Sequence, residues 1–387
     1  MNADVFPSSE QENGTKSSLE SGQKRGIRQG LALTLFLWFV SLALGPTALI
    51  GIYEYREAKS AIVANRYEEL SNVNHLLTQR INVYFDTVLT NLFMKAGTSE
   101  AFLADLVKAM NAEQSTLTDY VNSVRYQQVQ EQYASEYVDF LRFYDYADVI
   151  LGDALGNILY TVNGYEDLGQ NLFEGKLADT RFSQAVQLSL VEQQPKYADL
   201  GAYPPIGEGQ VSFFILPLTN DRQDTTGFIA VQIHPDNIQS IFERDKKLEQ
   251  GLSSYLVGKD RQIRFGSNIS YSTNVSVPED NPLVNLWLGH LDDAGHYHDK
   301  EAQMDEEGHA YEMEGQRDDD HWGSSLYEET NEDVTKQAAL AGIRYIRSYI
   351  NVHGEPVLGI FLPVTISGTP MMMMSEVTHE TAFASVI

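Results

Sequence analysis

Polar and aromatic side chains alternate over residues 142–148, where a helical pattern of apolar residues gives way to an extended one. The alternating residues are Arg142, Tyr144, Tyr146 and Asp148. Side chains two residues apart share one side of an extended segment. A guanidinium can hold a carboxylate through two parallel hydrogen bonds, whereas a carboxylate beside tyrosine rings suits a cation. The segment therefore predicts one side of a pocket that binds a small solute.

A second set of residues is predicted to supply the facing walls of this pocket. Its members lie in predicted strands or in the polar stretch between them, and they are Tyr160, Tyr203, Phe213 and Gln232. A cation would suit Asp148, Asp167 or Asp199, because each places a carboxylate near tyrosines in the sequence. A carboxylate would suit Arg142. For each of these residues, packing in a core or at a solvated sheet edge is the competing interpretation.

Two similar hairpin patterns would position these groups. Residues 148–161 read DVILGDALGNILYT, and residues 253–265 read SSYLVGKDRQIRF. Each has an apolar strand, a polar turn and a second apolar strand, which is the pattern of an antiparallel hairpin. The repetition predicts one α+β module used twice, over residues 137–242 and 249–387.

Further strands are predicted in both modules from their apolar and β-branched residues. In the first module they are residues 211–218 and 227–233, and in the second they are residues 343–351, 356–364 and 370–377. Residues 164–175 and 196–210 are polar and are predicted to be loops that close over the pocket.

The N-terminal part of the chain contains a predicted membrane segment. Residues 31–53 carry no charge, and 23 residues of helix reach about 34 Å, enough to cross a bilayer core of about 30 Å. Lys24, Arg25 and Arg28 precede this segment and favour a cytoplasmic N-terminus. Residues 1–30 are predicted to be a disordered tail. A cleaved signal peptide is the alternative, and both interpretations place the modules outside the cytoplasm.

Residues 54–136 are predicted to be long stalk helices. Apolar residues recur there at spacings of three and four, at Leu70, Val73, Leu77, Ile81, Tyr84, Val88 and Leu92. This seam can pack against a sheet or against a second copy of the chain. Gly97, Thr98 and Ser99 are predicted to interrupt the first helix, with Ser99 capping the next.

Residues 289–334 form an acidic insertion in the second module. They contain 16 acidic residues against Lys300 and Arg317, together with His290, His296, His298, His309 and His321. A charge run of this kind is typical of a solvated loop, which is the interpretation that we favour. A metal site built on His296 and His298, and a pH response of the histidines, are the alternatives.

Composition excludes several classes of function. Lysine and arginine total 27 against 54 aspartates and glutamates, so the formal net charge of -27 argues against nucleic-acid binding. The absence of cysteine excludes disulfides and thiolate chemistry. The sequence has no GxxxxGK[ST], HExxH, GxSxG or GxGxxG motif. We therefore predict no enzyme activity, no cofactor and no bound metal.

Several segments in order resemble the double-CACHE sensor region of bacterial transmembrane receptors, which include chemoreceptors and sensor histidine kinases. They are DVILGDALGNILYTV, EDLGQNLFEG, SFFILPL, GFIAVQIHPDNIQSIF, SSYLVGKDRQIRF and GEPVLGIFLPVTISGTPMMMMSEVTHETAF. The resemblance implies a long N-terminal helix followed by two PAS-like modules with antiparallel sheets, preceded by one transmembrane helix.

The resemblance also carries functional implications. It implies an inner-membrane protein with a periplasmic sensor region, a small-molecule ligand in the membrane-distal first module, and a homodimer formed through the long helix. Amine- and amino-acid-binding members carry an Arg-x-Trp-Tyr segment after the second strand, and this chain has EDLGQNLFEGKLADTRFSQA there instead. A stand-alone membrane-anchored binding or scaffold partner, without its own output domain, is the alternative function.

Overall fold

A computed structural model describes residues 15–207, 209–243, 251–292 and 346–384, with side chains from Leu33 onward. In these ranges the chain consists of N-terminal helices followed by two antiparallel sheets, so the predicted α+β class is confirmed. The chain divides into two units, Met1–Ala61 and Ile62–Ile387. Both sheets belong to the second unit.

One helix, α1, spans Thr15–Glu113. The predicted disorder of the tail is wrong from Thr15 onward, and the predicted membrane and stalk segments are parts of one continuous helix. Residues 52–96 contain neither glycine nor proline, so nothing in their backbone preferences ends the helix at the predicted boundary. Its N-terminal part is long and apolar enough to cross a membrane, judged by length and composition.

The interruption predicted at Gly97–Ser99 is also wrong, because α1 continues to Glu113. The Ser99 hydroxyl lies 2.7 Å from the Tyr137 hydroxyl and joins α1 to a later helix instead of capping a new one. Two further helices complete the predicted stalk, α2 at Leu117–Val121 and α3 at Val124–Tyr144. Their N-terminal caps are Thr116 and Ser123, whose hydroxyls accept backbone N–H bonds.

The first module contains a five-stranded antiparallel sheet. Its strands are β1 (Tyr146–Asp153), β2 (Ile158–Thr161), β3 (Lys196–Ala202), β4 (Gln210–Thr219) and β5 (Thr225–Ile233), in the order β2-β1-β5-β4-β3. Helix α4 (Arg181–Glu192) precedes β3, and α5 (Pro235–Glu243) follows β5. Short 3₁₀ turns occur at Gly175–Leu177 and Pro204–Ile206.

Strand β3 lies in residues predicted to be loop, and that prediction is wrong. Its sequence KYADLGA mixes charged, small and apolar residues because the strand forms one edge of the sheet and pairs only with β4. A register shift between Ala198 and Gly201 further disturbs the alternation. The pattern that identifies a strand from sequence is therefore weak here.

The second module repeats the same topology. Its strands are β6 (Leu252–Gly258), β7 (Ile263–Gly266), β8 (Arg347–Ile350), β9 (Pro356–Ile366) and β10 (Thr369–Thr378), in the order β7-β6-β10-β9-β8. It also contains a 3₁₀ turn at Tyr271–Thr273 and helices α6 (Pro282–Gly289) and α7 (His379–Phe383). The two predicted hairpins thus belong to two separate sheets, as expected for a duplicated module.

The apolar seam of α1 packs within the molecule against both sheets. Leu77, Ile81, Val88 and Leu92 are buried together with residues of β1 and β5 and with Met371 and Met373 of β10. Leu70 is buried in a separate cluster with apolar residues of β9 and β10. The predicted packing of the seam on a sheet is confirmed, and α1 is the element that both modules share.

Most of the acidic insertion, including His296, His298, His309 and His321, lies outside the described residues. His290 is described and buried at the end of α6, where its Nδ1 atom lies 2.7 Å from the carbonyl oxygen of Leu286. That contact gives His290 a local structural partner within α6.

Candidate functional site

The predicted pocket residues are divided between the two faces of the first sheet. A register shift between Tyr146 and Asp148 in the pairing of β1 with β5 adds one residue, Ala147, to β1. The bulge reverses the alternation, so Tyr146 packs with the α1 face while Asp148 lies on the opposite face with Ile150. The prediction that residues 142–148 share one side is wrong for this reason.

Asp148 is buried in the face that points away from α1. Its Oδ1 atom accepts hydrogen bonds from the backbone N–H groups of Val149, Val162 and Asn163, at 2.8, 3.0 and 3.2 Å. Its Oδ2 atom is buried without a hydrogen-bond partner among the described residues. Gln232 is opposite Asp148 in the sheet, and Phe213 is opposite Gln232 on the other side. These three predicted residues therefore form one row across β1, β5 and β4.

Two further predicted residues, Asp167 and Tyr203, lie in loops on the same side of the sheet as this row. The Tyr203 hydroxyl donates a hydrogen bond to Asp167 Oδ2 at 2.7 Å, and both side chains are buried. Asp167 Oδ1 is buried without a partner in the described part of the chain. Two carboxylates of the site thus each present one unpaired oxygen to the interior.

The electrostatic environment of these carboxylates disfavours their charge. Burial raises the pKa of Asp148 to about 7, and the charge of Asp167 adds to the effect, although three backbone donors oppose it. Burial also raises the pKa of Asp167, against the hydrogen bond from Tyr203. A positive charge placed between the two carboxylates would reverse both effects.

Aromatic rings cover the same face. The ring of Phe182, in the first turn of α4, stacks on that of Phe213 with centroids 4.0 Å apart. The Tyr203 ring meets both of them edge-on, at 5.1 Å from Phe213 and 5.7 Å from Phe182. The three rings therefore pack together in the buried cluster on the side of the sheet that carries Asp148.

Phe182 is a site residue that was not predicted from the sequence. The signal available was a helical pattern behind a capping residue: Thr180 accepts the Ser183 backbone N–H, and Phe182, Ala185 and Val186 fall on one buried face of α4. The pattern predicts a helix packed on the sheet. It does not indicate that its first ring reaches Phe213.

The other predicted residues lie elsewhere. Tyr160 packs on the α1 face against Phe102, and the Tyr146 hydroxyl accepts a hydrogen bond from Asn91. Arg142 is exposed near the end of α3 and lines, with Tyr144, a surface hollow of about 570 Å³. These residues do not join the Asp148–Asp167 site, and Arg142 cannot clamp a carboxylate there.

Asp199 was predicted as a further partner for a cation, and its contacts argue against that role. Its Oδ2 atom lies 2.6 Å from Arg181 Nη1 and 2.6 Å from Arg264 Nη2. Two guanidinium groups already compensate its single charge, so a cationic ligand would have to displace one of them.

Comparisons with known proteins identify structural relatives only. No protein-family model and no curated protein sequence matches the chain. The chain is similar to the sensor domain of the histidine kinase DctB from V. cholerae, with 11% identity over 81% of this chain and 98% of that one and a TM-score of 0.40. It is also similar to the periplasmic sensory domain of the chemoreceptor Tlp1 from Campylobacter jejuni, with 10% identity over 83% and 98% and a TM-score of 0.42.

A third similar structure is the ligand-binding domain of the amino acid chemoreceptor PctC from Pseudomonas aeruginosa in complex with GABA. It has 13% identity over 81% of this chain and 100% of that one, with a TM-score of 0.43. The structural likeness is to double-CACHE sensor domains, the group that the sequence motifs resemble.

Proposed function

We propose that the chain is the extracytoplasmic sensor region of a membrane-anchored signalling receptor, and that its first module binds a small cationic solute. The proposal assigns no reaction to the chain. The observation that carries it is a pair of buried carboxylate oxygens, Asp148 Oδ2 and Asp167 Oδ1, that have no hydrogen-bond partner within the described ranges. A buried acceptor left without a hydrogen bond costs about 1–3 kcal/mol, and more if it is charged.

The residues around the two carboxylates suit an ammonium group. Both acids are fully buried, so an attraction between them and a bound cation would be little screened by solvent. An alkylammonium supplies the hydrogen-bond donors that the two oxygens lack, and the rings of Tyr203 and Phe213 belong to the same buried cluster. A carboxylate ligand would instead meet two acidic groups with no arginine in the row.

The second module contains a contrasting buried acid. Glu376 is 2% exposed, and its two carboxylate oxygens accept hydrogen bonds from the side chains of Tyr255, Tyr349 and Asn351. Its hydrogen-bonding capacity is met from within the module. This difference supports ligand binding in the first module and a coupling role for the second.

The membrane anchor and a dimer complete the proposal. The apolar N-terminal part of α1 would cross the inner membrane with the N-terminus in the cytoplasm, as the cations before it favour. Farther along α1, Leu76, Val83 and Met94 are exposed at 41%, 58% and 63%. They are separated by about two and three helical turns and lie opposite the buried seam, so they would face a second copy of α1.

A ligand screen tests the binding proposal. We expect amines and diamines to raise the unfolding temperature of the full chain in detergent micelles, because binding only to the folded state adds about 2.7 kcal/mol at a hundred times Kd. Carboxylates, neutral amino acids and divalent metals serve as competing classes in the same assay. Stabilisation by carboxylates alone, with none by amines, would contradict the proposed ligand class.

A further inference from the structure

Four charged side chains join the first module to the second. Arg181 in α4 and Asp199 in β3 belong to the first module, while Asp260 in the β6–β7 turn and Arg264 in β7 belong to the second. Two ion pairs cross the boundary: Arg181 Nη2 lies 2.7 Å from Asp260 Oδ2, and Arg264 Nη2 lies 2.6 Å from Asp199 Oδ2. We call these four residues the inter-module charge cluster.

Each arginine of the cluster also holds the aspartate of its own module. Arg181 Nη1 lies 2.6 Å from Asp199 Oδ2, and Arg264 Nη2 lies 2.8 Å from Asp260 Oδ1. Every member therefore has one partner in each module. Moving one module relative to the other necessarily changes the pairing of charges within this cluster.

Arg264 is so deeply buried that its charge needs a carboxylate partner. The Arg264 side chain is 3% exposed, and the charge of Asp199 raises the pKa of its guanidinium even though burial opposes this. Hydrogen bonds from Arg264 hold the pKa of Asp260 below its ordinary value against the opposing effect of burial. A buried guanidinium cannot lose its carboxylates without a large desolvation penalty. If Arg181 and Asp199 move, the β6–β7 hairpin must therefore move with them, or the ion pairs break at that cost.

One member of the cluster, Arg181, is next in the chain to an aromatic residue of the binding site. Arg181 directly precedes Phe182, whose ring stacks on Phe213 and meets Tyr203 edge-on. Both residues lie in the first turn of α4, behind the Thr180 cap. A displacement of the Phe182 ring that shifts this turn would carry the Arg181 backbone with it. On the other side of the boundary, Asp260 lies in the turn of the β6–β7 hairpin and Arg264 lies in its second strand.

We propose that the inter-module charge cluster relays the packing state of Phe182 in the first module to the β6–β7 hairpin of the second, with Arg181 as the positioning residue. The relay is a property of the fold and depends on no particular solute, so it goes beyond the proposed ligand site. When the start of α4 moves, Asp260 either follows Arg181 or loses one of its two guanidinium partners. Either response changes how firmly the backbone of the β6–β7 hairpin is held, and therefore how fast its amides exchange.

Other contacts also join the modules and provide the competing route. Thr369 Oγ1 donates a hydrogen bond to the Tyr197 carbonyl oxygen at 2.8 Å, and Gln239 Nε2 donates to that of Gly266 at 2.8 Å. None of these residues neighbours Phe182 in the chain. If they carried the coupling, removing Arg181 would leave it intact.

Hydrogen–deuterium exchange of the full chain in detergent micelles tests the relay. The perturbation is Phe182→Ala, and Phe182→Leu replaces it if the alanine variant does not fold. The measured quantity is the increase in amide exchange of the β6–β7 hairpin that the Phe182 change causes. This increase is determined once in the wild-type background and once in an Arg181→Gln background. The matched control is an Arg261→Gln background, because Arg261 lies in the same hairpin turn but contacts Glu279 and Asn285 of its own module.

We expect the Phe182 change to raise hairpin exchange at least threefold in the wild-type and Arg261→Gln backgrounds. In the Arg181→Gln background the increase should fall to less than half of that value. An undiminished increase without Arg181 would overturn the relay. So would an unchanged hairpin when exchange in β4, which contains Phe213, shows that the first module was perturbed.

Discussion

The hydroxyl of Tyr203 donates a hydrogen bond to one carboxylate oxygen of Asp167 at 2.7 Å, and the other oxygen of that carboxylate is buried without a partner in the part of the chain that the structure describes. The arrangement fixes the direction in which Asp167 points. It also leaves half of the hydrogen-bonding capacity of the carboxylate directed into the interior of the first module. The first two predictions concern this acid and its neighbour Asp148.

The first prediction concerns the Tyr203 hydroxyl. Changing Tyr203→Phe removes the side-chain hydrogen bond to Asp167 Oδ2, so that this buried carboxyl keeps only backbone donors from Asp167 and Leu168 among the described residues. We expect the free energy of unfolding, measured by urea denaturation of the full chain, to fall by about 1–3 kcal/mol. The control is Tyr165→Phe, since Tyr165 is 39% exposed and its hydroxyl can bond to water. Equal effects of the two changes would show that the Tyr203–Asp167 bond contributes nothing.

The second prediction concerns the pH dependence of stability. The pKa of Asp148 is raised by burial from an ordinary value of 3.8 to about 7 in the folded protein. Its contribution to stability is therefore fully present below about pH 4 and is lost as pH rises through about 7. Three pKa units correspond to roughly 4 kcal/mol, which is the upper bound for the change.

Asp148→Asn isolates this contribution, because asparagine does not titrate. We expect the difference in unfolding free energy between pH 5 and pH 8 to shrink by at least about 1.4 kcal/mol in the variant, the value of one pKa unit. Urea denaturation at both pH values measures it. Asp221→Asn is the control, because Asp221 is exposed in the β4–β5 turn. An unchanged pH dependence in Asp148→Asn would contradict the raised pKa.

Much of the fold was predictable from sequence because its signals are local. The two hairpins, the apolar seam of α1 and the paired strands of both sheets follow directly from period-two and helical spacing. Strand β3 was missed because an edge strand containing Lys196, Asp199 and Gly201 lacks the alternation of a buried strand. The predicted membrane and stalk segments meet near residue 53 within one helix, because a change from apolar to amphipathic residues does not end a helix.

The site was only partly predictable because it depends on a single-residue irregularity. Asp148, Asp167, Tyr203, Phe213 and Gln232 do converge on one face of the first sheet. Tyr146 does not, because the bulge at Ala147 reverses the alternation, and the sequence carries no marker of that bulge. Arg264 could have been singled out, since it is a charged residue in a short strand whose other members are apolar or glycine.

The third prediction concerns the inter-module charge cluster. Asp199→Asn removes a charge that two guanidinium groups share and leaves the buried Arg264 with Asp260 as its remaining acidic partner in the cluster. Breaking a buried ion pair in this way typically costs about 3–5 kcal/mol. Urea denaturation should show a loss in that range, against less than about 0.5 kcal/mol for the exposed control Asp221→Asn. A small effect of Asp199→Asn would mean that solvent compensates Arg264.

The fourth prediction concerns the proposed dimer. Val83→Glu places a charge in the middle of the exposed stripe formed by Leu76, Val83 and Met94, so it should oppose association without disturbing the monomer fold. Light scattering on the full chain in detergent should show a dimer for the wild type and a monomer for the variant. Asn82→Glu adds the same charge on another exposed face of α1. A dimer that survives Val83→Glu must use a different surface.

The most direct test of the account is calorimetric titration of the full chain in detergent with butane-1,4-diamine and with succinate at pH 8. We predict that the diamine binds and succinate does not, and that the double change Asp148→Asn with Asp167→Asn weakens diamine binding by at least about a hundredfold. That factor corresponds to about 2.7 kcal/mol, close to the lower limit of about 3 kcal/mol for two charge-assisted hydrogen bonds. Binding of succinate in place of the diamine, or diamine binding that the double change leaves intact, would contradict the cationic site in the first module.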